Sequence, residues 1–286
     1  MSLTLGVAPS LQLSPRVQEL HAGTPGELQA TLRPARIEIW CSSMGSGRLR
    51  DSAGGTIYDG PFEAAPASTG EWRIERLDDR SGRGRHFGIH GEASAPAYIR
   101  SARVLGGRPA IRTVELDTSG FIMRFGWQLR RPLAMFAVLE GSGSNRVISE
   151  SINRMDDPVP DLANIIDFAT STARDNPVPV AFQNGNGTPG TTKLELGRAH
   201  VVGAIWAGAE TFVRVDGVQE GYERGLTNGI VADSLSLLNN PTVRHGQNRW
   251  LGHFGEYVLI SGALDAARIA AVERHLAARF GLPLAG

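Results

Sequence analysis

The chain has 286 residues, with 29 Lys plus Arg balancing 29 Asp plus Glu and a single cysteine, Cys41. The zero net charge, without a polybasic run, argues against nucleic acid and anionic membranes as partners. One cysteine excludes an intrachain disulfide, and no apolar run approaches the roughly 20 residues needed to span a bilayer. The first twenty residues lack a basic stretch followed by a long apolar one, so no signal peptide is expected and synthesis is read as cytoplasmic. Thirty-five Gly and 16 Pro suit many tight turns better than long helices.

Residues 1–35 carry Pro9, Pro15, Pro25 and Pro34 among scattered apolar positions, and read as an N-terminal arm or attachment segment. From residue 36 the pattern changes. Ile37 and Ile39 alternate with Glu38 ahead of Trp40, which predicts a first core strand. Residues 42–61 read as a loop with turns, Trp72 to Leu77 as a short mixed segment, and 77–87 (LDDRSGRGRHF) as a dense turn cluster. Extended pieces follow at 98–100, after the turn at 104–111, and at 121–125. Residues 132–139 predict a strongly buried strand, and 146–150 a hairpin partner for it. A short helical turn is expected around 162–168. Strands are then expected at 178–182, 199–206, 211–215, 235–238 and 252–260, with a polar glycine-rich loop at 183–192. Asp216-Gly217 reads as a type I′ hairpin turn.

The last element is the clearest. Asp265 is a good N-cap, because its carboxylate accepts the free N–H groups of a helical first turn. Ile269, Val272, Leu276 and Phe280 recur on one helical face, Arg279 complements the C-terminal dipole, and Gly281 sits where a left-handed stop belongs. Such a helix is scaffold that packs on a sheet.

Five segments in order carry a resemblance. They are LDDRSGRGRHF (77–87) preceded by Trp72, GGRPAI (106–111), PLAMFAVLEGSG (132–143), HVVGAIWAGAETFVRVDGV (200–218) and GEYVLISGALDAARIAAVERHLAARFGL (255–282). Together they resemble the laminin-G-like or concanavalin A-like jelly-roll domains of phage-type, gene-transfer-agent and bacterial surface proteins, with His275 where such domains usually have Tyr. The resemblance implies an all-β fold: an antiparallel jelly-roll β-sandwich over residues 36–286, closed by one C-terminal amphipathic helix. Function is left open, because this fold hosts lectins, glycosidases and structural modules.

Glycoside hydrolysis needs two carboxylates flanking the bond, roughly 5–10 Å apart. Glucanases of this fold tend to show E-x-D-x-x-E on a strand. Here Glu115 and Asp117 supply the first two acids, but the third position is Gly120. The pairs Asp78-Asp79 and Asp156-Asp157 lie in turn-rich stretches and read as turn caps. No nucleophile elbow, Ser/His/Asp spacing or zinc-type Cys/His cluster occurs among the scattered histidines. No cofactor is expected, with calcium left open through Asn184, Asn186, Asp156 or Asp157.

Sugar binding needs aromatic platforms with planar polar side chains. Trp127 and Trp206 beside Arg124, Asn184, Asn186, Asp156 and Asp157 are the candidate ligand set, with Trp250 and Arg249 near a strand end. The resemblance, with the arm, the lack of a disulfide and the missing third acid, implies a non-enzymatic carbohydrate-recognition or adhesion module of a phage-like particle (a fibre or spike), or of a bacterial surface, that binds cell-surface polysaccharide. The arm would contact other particle proteins or further copies of the chain. A structural decoration or assembly protein without ligand is the alternative, and a glycan depolymerase is the enzymatic reading behind it.

Overall fold

The computed structural model describes residues 25–285 apart from 69, 91–94, 114–119, 125–128, 142–145, 153–165, 172–176, 184–185, 195, 225–231, 233 and 240–249. Its strands are β1 (Arg36–Ser42), β2 (Ser46–Asp51), β3 (Ile57–Pro61), β4 (Trp72–Leu77), β5 (Phe87–His90), β6 (Ala97–Ala102), β7 (Arg108–Thr113), β8 (Gly120–Arg124) and β9 (Leu133–Gly141). Then come β10 (Val147–Ile152), β11 (Ile166–Thr170), β12 (Pro179–Gln183), β13 (Asn186–Pro189), β14 (Ala199–Ala207), β15 (Glu210–Val215), β16 (Val218–Arg224), β17 (Ser234–Leu237) and β18 (Gly252–Ser261). Helix α1 (Pro25–Leu32) precedes them and helix α2 (Ala266–Phe280) follows.

All described pairings are antiparallel and fall into two runs. One reads β3-β2-β4-β5-β8-β17-β10-β11-β12-β13. The other starts with β1 and β7 side by side on one edge of β18, then passes through β9, β14, β15 and β16. Strand β6 pairs with β7 and bridges to β4, which joins the runs into one sheet.

Strand alternation explains how the runs meet. On β9, Leu133, Met135, Ala137 and Leu139 enter the main core. There they join Phe121 and Met123 of β8, Phe168 of β11, and Leu235 and Leu237 of β17, all from the first run. The intervening Ala134, Phe136 and Val138 enter a second core with Ile269, Val272, Leu276 and Phe280 of α2. A strand buried on both faces reads as the continuous apolar run seen at 133–139. The chain is thus all-β with a terminal helix on the outer face of the second run.

The caps of α2 are as the sequence requires: Asp265 accepts the Arg268 N–H at 2.8 Å, and Gly281 is left-handed at φ 65°. The Asp216-Gly217 turn has φ of 49° and 90°, the positive pair that a type I′ hairpin needs.

Four expectations change. Residues 25–35 belong to the packed body, because Leu28, Leu32 and Ala35 lie in the second core with α2; residues 1–24 lie outside the described ones. Residues 46–61 form the β2–β3 hairpin, whose outward positions are too charged and too Gly-rich to show apolar alternation. Residues 166–168 are strand, because β11 is held between β10 and β12. Strand β10 pairs with β11 and β17 rather than with β9, since its partners come from the opposite run.

Arg279, in the last turn of α2, does more than complement the dipole. It is 2% exposed and pairs at 2.9 Å with Glu256, which is fully buried on β18. The Trp40 indole N–H donates to the other Glu256 oxygen, and His275 meets the Trp40 ring edge-on at 5.1 Å. This charged cluster fastens α2 to the sheet.

The Asp-Arg-Ser-Gly cluster has a structural task. The free edge of β1 is covered by residues 79–85. Asp79 accepts from the Trp40 backbone N–H at 2.9 Å and from the Ser81 N–H at 2.9 Å, and Arg80 N–H donates to the Trp40 carbonyl at 2.7 Å. Arg83 and Arg85 reach the carbonyls of Ile37 and Glu38. Covering an edge strand satisfies its backbone groups and blocks edge-to-edge association.

Candidate functional site

Glu150 and Asp167 face each other across the β10–β11 ladder. Directly opposed residues share a face, with Cβ atoms about 4.5–5.5 Å apart. Their neighbours define which face. Ser149 is opposite Phe168 and Leu237, and the latter two lie in the main core. Glu150 and Asp167, one residue out of phase, therefore lie on the face of the first run that points away from that core. A register shift between Val147 and Ser149 sits just before Glu150. Bulges of this kind re-aim the side chains that follow them.

The pair belongs to a continuous row across that face. Successive ladder partners are Gly187, Phe182, Asp167, Glu150, Ser236, Ile122 and Gly88. Phe182 and Ile122, both half-buried, bracket the acids and Ser236. Beneath them, Ser149 Oγ donates to the Ser236 carbonyl at 2.9 Å and lies 3.0 Å from the Tyr257 hydroxyl.

Two carboxyls brought this close out of water cannot both ionise cheaply. Glu150 is 3% exposed, and burial together with the Asp167 charge pushes its carboxyl well above the usual range. Burial pushes Asp167, which is half-buried, up to about 7. Among the described residues, Glu150 Oε2 and Asp167 Oδ1 are buried without a hydrogen-bond partner. Native structures seldom leave such atoms unpaired without a reason. Burial and the closeness of the two groups therefore favour a shared proton on the pair over two charges.

The residues expected from the sequence fall as follows. Trp206 is fully buried in the main core, where β14 alternation places it with Val202 and Ala204; its ring has no face for a sugar, and the expectation of a platform there is corrected. Trp250 is likewise fully buried. Arg124, exposed on β8 and opposite Ser234, lies on the same face as the acid pair. Asn186 is exposed on β13, opposite Gln183. Trp127, Asn184, Asp156, Asp157, Glu115, Asp117 and Arg249 lie outside the described residues. Among the described residues no group of three or more His, Cys, Asp or Glu side chains is placed to hold a metal ion.

Sequence reasoning sought an acid pair within one strand and missed Glu150 and Asp167, which are 17 positions apart and meet only through β10–β11 pairing. The available signal was a carboxylate inside each of two apolar stretches, Val147–Ile152 and Ile166–Thr170. Lone acids there are costly unless paired or used.

No family model matches the sequence, and no curated protein matches it either. Solved structures do match in shape. A family GH54 α-L-arabinofuranosidase soaked with a cyclic sulfate inhibitor superimposes with a TM-score of 0.64 at 13% identity, over 90% of this chain and 66% of that one. An arabinofuranosidase complexed with arabinofuranosyl-α-1,2-xylobiose gives 0.64 at 14% identity, over 90% and 65%. Domain 4 of AbnA, a GH43 extracellular arabinanase from Geobacillus stearothermophilus, in complex with arabinotriose, gives 0.52 at 15% identity, over 68% and 92%. The chain thus spans about two thirds of the length of the two arabinofuranosidases. At these identities the likeness shows the fold alone: an all-β architecture shared with these proteins.

This corrects the expectation of a non-enzymatic adhesion module on a phage-like particle. The proteins whose shapes align along nine tenths of the chain are arabinofuranosidases, and no adhesion protein of a phage-like particle supports that expectation. The resemblance to surface-protein jelly rolls caught the all-β class with its closing helix, and a shared architecture does not by itself carry function.

Proposed function

We propose that this chain is a glycoside hydrolase domain of concanavalin A-like jelly-roll architecture, with Glu150 and Asp167 as its two working carboxyls and arabinofuranosides as its substrate class. The observation that carries the reading is the register-paired Glu150–Asp167 couple, with a buried oxygen on each residue that has no partner among the described residues. Retaining glycosidases hold their carboxyls about 5–5.5 Å apart, which suits directly opposed residues of an antiparallel ladder. Inverting enzymes need a wider gap for water.

The environments assign the roles. Glu150, in the drier position and facing the Asp167 charge, keeps its proton and serves as the acid. Asp167, half-buried, is the ionised partner and nucleophile. Its carboxylate attacks the anomeric carbon as the glycosidic C–O bond breaks and the Glu150 proton passes to the leaving oxygen. Glu150, now a carboxylate, takes a proton from water, whose oxygen displaces Asp167 and releases the sugar. Phe182 and Ile122 give the apolar flanks, and Arg124 the polar contact on the same face. The arabinofuranoside assignment rests on the two arabinofuranosidases that share the fold.

The test is hydrolysis of 4-nitrophenyl α-L-arabinofuranoside, arabinofuranosyl-α-1,2-xylobiose and arabinotriose by the full chain, with the first-formed anomer read by proton NMR. Release of arabinose with retention supports the proposal. No release from any of the three, or release with inversion, overturns it.

A further inference from the structure

A polar cavity lies away from the acid pair. It measures about 820 Å³ and opens between the α1–β1 connection and the turn that covers the β1 edge. Gln29, Arg33, Arg36, Ile37, Ser81 and Arg83 line it, and no residue of β10 or β11 does. Ligand sites typically fall between about 300 and 1,000 Å³, so a one- to three-unit saccharide fits.

Three of the lining residues are arginines. Glu38 approaches Arg83 at 3.5 Å, but the same carboxylate binds Arg85 and the Ser261 hydroxyl. One shared carboxylate does not balance the cavity's guanidiniums. Arg33 and Arg36 are exposed and make no ion pair among the described residues.

The walls are held in place before any ligand arrives. The Gln29 side chain donates to the Ala35 carbonyl at 3.0 Å and accepts the Ile37 N–H at 2.6 Å, which fixes the segment carrying Arg36. Arg268 on α2 donates to the Arg33 carbonyl at 2.7 Å. Arg83 Nε donates to the Ile37 carbonyl at 3.0 Å. Guanidinium groups on a fixed frame favour planar or tetrahedral oxyanions, which accept two parallel N–H donors.

We propose that this cavity binds an anion-bearing small molecule of saccharide size, its carboxylate or phosphate held by Arg33, Arg36 and Arg83. The site stands independently of the acid pair. Two ligand sources share this chemistry, a uronic acid and a sugar phosphate.

Isothermal titration of the full chain with glucuronic acid, glucose 6-phosphate and inorganic phosphate tests it, with glucose as the neutral control, at low and high salt. At least one of the anions is expected to bind, glucose is not, and affinity falls as salt screens the guanidiniums. The better of glucuronic acid and glucose 6-phosphate identifies the source. The Arg33→Gln/Arg36→Gln double variant, which changes only exposed side chains, is expected to weaken binding at least tenfold with an unchanged melting temperature. Glu150→Gln leaves binding unchanged. No heat from any anion, equal binding of glucose, or full affinity in the double variant overturns the proposal.

Discussion

Glu150 and Asp167 are costly residues to keep. Both carboxyls have native pKa values above their ordinary values of 4.5 and 3.8, so the native state holds its protons to higher pH than the unfolded chain does. Their contribution to stability is therefore fullest below about pH 4 and is lost as pH rises through about 7. Asp167→Asn is expected to remove one charge from the pair and raise the melting temperature at pH 8 by several degrees, with little change at pH 4. Thermal melts across that range check this. A gain in stability on removing a side chain from a well-built fold is the usual mark of a group kept for function. His275 has the opposite sign. Burial lowers its pKa from 6.5 to about 4, so the unfolded chain takes up a proton before the native one does. Stability tied to His275 is present above about 6.5 and falls as pH drops toward 4, by roughly 2–3 kcal/mol. His275→Phe is expected to flatten that acid limb in urea titrations.

At the level of elements, two attachments carry testable weight. Helix α2 is held by an apolar face and by the Arg279–Glu256 pair beneath it. Arg279→Met leaves the Glu256 charge buried and unpaired, and a loss of about 3–5 kcal/mol is expected. Adding Glu256→Gln is expected to recover most of that loss, which equilibrium unfolding of the two variants measures. The cover on the β1 edge depends on Asp79, which accepts from Trp40, Ser81 and Arg85. Asp79→Ala is expected to cost about 2–3 kcal/mol, and earlier elution in gel filtration would report self-association of the uncovered edge. These elements also mark what the sequence disclosed. The caps at Asp265 and Gly281 and the Asp216-Gly217 turn were legible because they depend on local backbone chemistry. Buried strands such as 133–139 and 252–260 were legible through their apolar runs. The β2–β3 hairpin was not, because its outward Arg48, Arg50 and Asp59 mask the alternation. The Arg279 ion pair was not legible for a related reason: its partner, Glu256, lies 23 positions away and meets it only when α2 packs on β18.

On the scale of the whole molecule, pairing order decides what the chain can do. Strands β10, β11 and β17 are separated in sequence by long connections, yet they lie side by side and set Glu150, Asp167 and Ser236 in one row. No spacing rule read along the chain reaches that row, which is why the candidate site was invisible while the all-β class was not. The proposed chemistry rests on that row rather than on the fold. Its direct measurement is kcat/KM for 4-nitrophenyl α-L-arabinofuranoside between pH 4 and 9, for the wild type and for Glu150→Gln and Asp167→Asn. The expected result is a bell-shaped profile whose limbs lie above the usual carboxyl range, with each substitution lowering the maximum at least 100-fold while the far-UV circular dichroism is unchanged. Activity in both variants within tenfold of the wild type would contradict the assignment of this pair as the reaction centre.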